Sequence, residues 1–181
     1  IMLSKLTGGH IHIAHVSTSG SVNLIREAKK EGVNITCEVT PHHLTLTDTI
    51  ILNKNLSDQN FVTSHHSYDT RAKVNPPLRT SSDVQSLIEA LNDGTIDIIA
   101  TDHAPHSDID KICTFSEAAF GISNIETAFS QIYQLVINQQ ISLHKLIESL
   151  TIAPARILGA QYGNLEKNKP ADITIIDLNE Q

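Results

Sequence analysis

Ten histidines occur among the 181 residues, and nine of them fall in short groups: His10, His12 and His15; His42 and His43; His65 and His66; His103 and His106. Imidazole moves protons near neutral pH and is a common metal ligand, so this grouping points to metal or acid–base chemistry. The densest group is Thr101-Asp-His-Ala-Pro-His106, which follows the apolar run Ile96 to Ala100. A carboxylate at the end of a buried strand is expensive unless it is paired, ligated or neutralised. Asp102 is therefore a candidate ligand or proton carrier, its plainer reading being a helix-capping aspartate in a loop. Pro105 stiffens the turn and His106 returns towards the same mouth. His15 ends another strand-like run and is a candidate ligand, or else a hydrogen-bonded core histidine. Imidazole with carboxylate suits zinc or a similar borderline cation. Two ligands fall short of the three that a catalytic zinc usually takes from protein.

The other groups carry less. Alternation over residues 10–15 puts His15 on one face with Ile11 and Ile13, and His10 and His12 on the other. The His10/His12 pair is therefore not expected to converge with His15. His42 and His43, read as extended chain after Pro41, point to opposite sides, so at most one faces a site and a supporting role is expected. His65 and His66 read as solvated. In Val74-Asn-Pro-Pro-Leu-Arg79 two prolines fix φ and remove two donors. The Asn75 amide offers donor and acceptor together, suited to an amide or imide edge. Phe120-Gly121 lies in a loop, where glycine permits close backbone approach to a ligand.

These groups need elements to place them. Residues 10–17 and 33–40 read as strands, and Ile96 to Thr101 as a third, apolar enough to be buried on both faces. A helix begins at Ser19-Gly20-Ser21, buries Val22, Ile25 and Ala28, carries Lys29 and Lys30 in its last turn and stops at Gly32. A second spans about 83–93, with a Ser82/Gln85 capping box, an apolar stripe of Val84, Leu87, Ile88 and Leu91, and a stop at Gly94. Strand–helix–strand order at this spacing implies right-handed βαβ units and a parallel sheet. Ligands bind at the carboxyl ends of such strands, where His15-Val-Ser17, Thr40-Pro-His-His43 and Thr101-Asp-His103 all fall. Two more helices are expected over 124–139 and 142–150, the second capped by Ser142. A final strand is expected over 171–178 in a separate piece of sheet. Residues 48–72 show no periodicity and read as a lid or rim insertion.

Composition narrows the function. Lys plus Arg number 13 against 20 Asp plus Glu, a net charge of −7, which argues against a nucleic-acid phosphate surface. The apolar fraction of 40% supports a core. No apolar run approaches a membrane span, and no basic n-region with an apolar stretch opens the chain. Cys37 and Cys113 are the only cysteines and fit a reducing compartment. There is no Gly-x-Ser-x-Gly elbow, no phosphate-binding glycine loop, no dinucleotide fingerprint and no Cys-x-x-Cys. The chain opens Ile-Met-Leu, which suggests a fragment boundary.

Taken in order, His-Ile-Ala-His-Val-Ser-Thr, Glu-Val-Thr-Pro-His-His-Leu, Val-Asn-Pro-Pro-Leu-Arg, Asp-Gly-Thr-Ile-Asp-Ile-Ile-Ala-Thr-Asp-His-Ala-Pro-His and Phe-Gly-Ile resemble the second half of a bacterial-type dihydroorotase, one of the cyclic amidohydrolases. The resemblance runs from about residue 8 to 178 and is interrupted mainly over 48–72. It implies an α/β fold, part of a (β/α)8 TIM-type barrel: strands six to eight with their helices over residues 1–162, then a return over 163–181 into a small flanking β-sandwich. It makes His15 and Asp102 metal ligands, Asp102 also the catalytic acid–base, and Asn75, His106 and the Phe120-Gly121 backbone the substrate contacts. Ala119-Phe120 departs from the more usual Pro-Phe.

The same resemblance implies zinc, two ions per complete active site, and reversible hydrolysis of dihydroorotate to carbamoyl aspartate in pyrimidine synthesis. It implies a cytoplasmic homodimer associated with aspartate carbamoyltransferase, with no nucleic-acid or membrane partner. Two alternatives accompany it: a hydantoinase, dihydropyrimidinase or allantoinase, or a non-catalytic dihydroorotase-like subunit of the carbamoyltransferase. The family's His-x-His-x-Arg strand and bridging ligand are not found here, and a whole barrel takes about 250 residues. The 181 residues alone are therefore expected to be inactive and poorly folded.

Overall fold

The computed structural model describes residues 1–51 and 68–178. Three short parallel strands form its centre: β1 (Ile11–Ile13), β2 (Ile35–Val39) and β3 (Ile98–Ile99), in the order β1-β2-β3. Ile11 stands opposite Ile35, Ile13 opposite Cys37, and Val39 opposite Ile99. The pairing continues beyond the regular strands, as Val16 N–H donates to the Glu38 carbonyl and Ala100 N–H to that of Val39. The expected parallel α/β arrangement is present, with strands shorter than their apolar runs suggested.

Residues alternate across β2. Ile35, Cys37 and Val39 are buried against the helices. On the other face Thr36 Oγ1 meets His12 Nδ1 at 2.8 Å and His10 Nε2 at 2.9 Å, and Glu38 Oε2 meets His12 Nε2 at 3.1 Å. His10 and His12 thus occupy the face opposite Ile11 and Ile13, as the alternation requires. That alternation does not reach His15: β1 ends at Ile13 and His15 adopts a left-handed φ of 40°.

After α1 (Met2–Thr7), the first crossover helix α2 (Ser19–Lys30) lays Val22, Ile25 and Ala28 on the sheet. It begins at Ser19 as expected and is capped by Thr18, whose Oγ1 accepts from Ser21 N–H. A short unforeseen helix α3 (Pro41–Thr45) follows β2 directly. The second crossover helix α4 (Ser81–Asp93) packs Leu87, Ile88, Ala90 and Leu91 inward and ends at Gly94, φ 80°. The expected Ser82/Gln85 box is displaced: Thr80 Oγ1 accepts from Asp83 N–H at 3.4 Å and donates to the Asp83 carboxylate at 2.7 Å. Asp83 also accepts Ser19 N–H at 2.9 Å, so one carboxylate joins the starts of α4 and α2. That backbone hydrogen bond is the leading reason its pKa lies below the ordinary carboxylate value. Asp97 similarly binds Cys37 N–H and the Lys29 ammonium, tying β3 to β2 and α2.

The chain continues through α5 (Asp108–Lys111), α6 (Ala128–Ile137), α7 (Leu143–Leu150) and α8 (Ile152–Ile157). Ser142 caps α7 as expected. α6 begins four residues later than its periodicity suggested, because residues 124–127 are held in a turn that serves the strand ends. Residues 171–177 form no strand and are exposed. A strand needs a paired strand for its backbone groups, and the three strands of the sheet among the described residues pair only with one another. The histidines 65 and 66 lie outside the described residues, as does most of the 48–72 insertion. Among the described residues no helix is long and apolar enough to cross a membrane.

Leu91 is fully buried between helix and sheet. Leu91→Ala is expected to cost about 2–5 kcal/mol, read as a lower denaturation midpoint. Asp83→Ala is expected to cost about 1–3 kcal/mol at pH 7. A depressed carboxylate contributes its stability above the unfolded pKa of about 4 and loses it as pH falls through the lower folded value. The gap between parent and variant should therefore close on acidification, and urea titrations at pH 7 and pH 3 check both statements.

Candidate active site

Each strand hands over to a polar segment at the same edge of the sheet. From β1 the chain turns at His15, which is half-buried. From β3 it turns at Asp102, again left-handed with φ 48°. Such a backbone is uncommon for a residue other than glycine and costs of the order of 1–3 kcal/mol, so surrounding contacts must hold it. His15 and Asp102 thus leave the two strands that flank β2.

Between them stands α3, and here the expectation for His42 and His43 is corrected. The segment is helical rather than extended. Both rings are buried with centroids 4.5 Å apart, and both are held from the same short turn. Thr40 Oγ1 accepts from His43 N–H and lies 2.7 Å from His43 Nδ1. His43 Nε2 is 3.0 Å from the Pro76 carbonyl. A carbonyl only accepts, so Nε2 carries the proton and Nδ1 accepts from the threonine hydroxyl. His43 therefore fastens the segment after Asn75 to the end of β2. Burial lowers its pKa first, the Pro76 carbonyl opposes that, His15 lowers it further and Asp102 raises it. One ring is thus within electrostatic reach of both candidate ligands. His42 is pushed down to about 3 by burial, then by His43 and His15, and stays neutral at working pH.

Three of the four expected substrate contacts are tied together, with Asn75 close along the chain. His106 Nε2 donates to the Phe120 carbonyl at 2.8 Å, and Gly121 N–H donates to the Lys73 carbonyl at 2.9 Å. Gly121 has φ 141°, and a Cβ there would lie 2.5 Å from the Ala104 carbonyl oxygen, so no other residue fits without movement. Asn75 follows two residues after Lys73 and is exposed.

Two lysines that the sequence reading passed over shape this loop. The buried Lys73 ammonium donates to the carbonyls of Ser116 and Ala118, and stands 4.5 Å from the Phe120 ring centroid. The Lys111 ammonium donates to the carbonyls of Thr70, Ala119 and Gly121. Burial, then Lys73, lowers the pKa of Lys111. Both ammonium groups are solvated by carbonyl dipoles beside Phe120 and Gly121. The available signal was a lysine between the apolar Ala72 and Val74, both buried here.

An imidazole and a carboxylate are the donor types that zinc takes. Among the described residues no group of three or more His, Cys, Asp or Glu is arranged to hold a metal ion. His15 and Asp102 therefore fit part of a zinc ligand set. Cys37 is excluded, because burial pushes its thiol up to about 12 and the Sγ donates to the Thr95 carbonyl.

Comparison with known proteins places this geometry. A dihydroorotase of Thermoanaerobacter sp. (strain X514) is 50% identical over 182 residues, covering 100% of this chain and 39% of that relative. A dihydroorotase of Caldanaerobacter subterraneus subsp. tengcongensis is 51% identical over the same length and shares. The chain thus spans about two fifths of these curated relatives, 39% of each. Among solved structures, an L-hydantoinase (dihydropyrimidinase) from Arthrobacter aurescens superposes with a TM-score of 0.80 at 28% identity, covering 94% of this chain and 36% of that one. A dihydropyrimidinase from Brevibacillus agri NCHU1002 gives 0.81 at 23% identity, over 94% and 36% of the two chains, and supports the fold alone. These likenesses make the α/β fold a TIM-barrel-type one. The amidohydrolase family profile matches residues 2–181, and with parallel strand ends carrying His15 and Asp102 on one edge, the chain belongs to the amidohydrolase family.

Proposed function

We propose that this chain carries the His15 and Asp102 side of a dihydroorotase active site, which interconverts dihydroorotate and N-carbamoyl-L-aspartate in pyrimidine synthesis. The observation that carries the reading is the pair itself. Both residues leave flanking parallel strands in left-handed conformations, and His43 between them senses both. The relatives named dihydroorotase, at about half identity over the whole chain, support the same substrate. On this reading β1, β2 and β3 are the sixth to eighth barrel strands, and the tail from Gly163 leads into a small sandwich. Its compartment is the cytoplasm, and its assembly a homodimer associated with aspartate carbamoyltransferase.

His15 and Asp102 would hold zinc, two ions serving the complete site. Zinc, when bound, supplies Lewis acidity towards a carbonyl oxygen and acidifies water towards neutrality. Asp102 takes the proton of the attacking water and returns it to the leaving ring nitrogen as the C–N bond opens. The Asn75 amide matches the donor and acceptor of the ring edge. His106 and the Phe120-Gly121 backbone hold the ring and its carboxylate, and the positive field of Lys73 and Lys111 favours an anionic substrate over a neutral one. That field separates dihydroorotate from the neutral rings of hydantoinases and dihydropyrimidinases, the reading that the Arthrobacter aurescens likeness brings forward.

The full-length protein, assayed side by side, should hydrolyse dihydroorotate well above hydantoin, dihydrouracil and allantoin; preference for a neutral ring, or a zinc-free protein without turnover, would refute the assignment. Asp102→Asn should lower kcat by about 10³-fold with the fold retained by circular dichroism. Lys73→Met, which removes a charge and two carbonyl contacts of the loop, should raise KM for dihydroorotate about tenfold, and more than it raises KM for dihydrouracil, which has no carboxylate.

A further inference from the structure

Asn124 and His42 are fully buried, and the reaction outlined above uses neither. Asn124 Nδ2 lies 3.0 Å from the Thr101 carbonyl and 2.8 Å from His42 Nδ1. Because the carbonyl can only accept, the amide nitrogen must face Thr101, and His42 Nδ1 must be the unprotonated nitrogen. The backbone N–H of Asn124 donates to His103 Nδ1 at 3.0 Å, and Ile125 N–H joins it at 3.1 Å. Thr101 and His103 are the two chain neighbours of Asp102. One asparagine thus grips the residue before the carboxylate and the residue after it. Asp102 stands between them in a conformation that a free chain rarely adopts.

The same pair carries a cost. His42 Nε2 and Asn124 Oδ1 are buried without a hydrogen-bond partner among the described residues. A buried donor and a buried acceptor left unmade destabilise a fold, and apolar replacements of similar shape are often neutral or better.

We propose that Asn124, itself oriented by His42, is a positioning residue that fixes the backbone at Asp102 and so aims its carboxyl group. The proposal rests on the reading of Asp102 as the proton carrier. A clamp of this kind acts on turnover and leaves binding alone, because His106 and the Phe120-Gly121 loop are held by other contacts. A misplacement of about 1 Å at a reacting group costs of the order of 10²-fold in rate.

The test uses the full-length protein, with dihydroorotate as probe, and measures kcat, KM and thermal midpoint for three variants. Asn124→Ala and His42→Leu should each lower kcat by about 10²-fold with KM nearly unchanged. His42→Asn, whose side-chain oxygen restores an acceptor near the place of Nδ1, should recover most of that loss. Thermal midpoints should move little and should not follow kcat. Turnover by Asn124→Ala close to the parent's would overturn the proposal. So would a His42→Asn variant no better than His42→Leu, which remains decisive even where Asn124→Ala does not fold. A parent protein inactive on dihydroorotate is a separate result and would count against the proposed function itself.

Discussion

Parallel pairing constrains everything at the upper edge of this sheet. Because β1, β2 and β3 run the same way, their carboxyl ends emerge together, and residues 28 or more apart in sequence, such as His15, His43 and Asp102, become neighbours of one mouth. An antiparallel sheet would have sent alternate ends to opposite edges. The pairing is secured by burial of Ile35, Cys37 and Val39 under α2 and α4 and by Asp97, which crosses from β3 to β2 and to Lys29.

The mouth is then stiffened by polar contacts that leave the carboxylate itself exposed. Thr40, His43 and the Pro76 carbonyl form a chain of hydrogen bonds with a fixed tautomer, and Asn124 brackets Asp102 from both sides. The directional hydrogen bonds that these buried groups make favour one arrangement where apolar packing would tolerate several. The frame is rigid and the Asp102 carboxylate stays exposed to solvent.

Across the mouth, the order of the Phe120-Gly121 loop comes from cations bound to carbonyls. Lys73 and Lys111 together neutralise five carbonyl dipoles that a loop of this shape would otherwise leave to water. Both ammonium groups thereby hold the two sides of the loop to each other.

Local chemistry in the chain was enough to reveal the parallel α/β pattern, the two crossover helices, the stop at Gly94, the cap at Ser142 and the candidates His15, Asp102, Asn75, His106, Phe120 and Gly121. Period-2 and period-3.6 burial act between near neighbours, and distinctive short motifs survive in one dimension. The helical turn at Pro41, the joint burial of His42 and His43, the lysine-bound loop and the grip of Asn124 were decided by tertiary structure. The two histidines, for example, are held by partners 33 and 82 positions away, Pro76 for His43 and Asn124 for His42. No periodicity encodes which distant carbonyl will meet a given donor. That choice is made only when strand register brings the two ends of the chain's turns to the same edge.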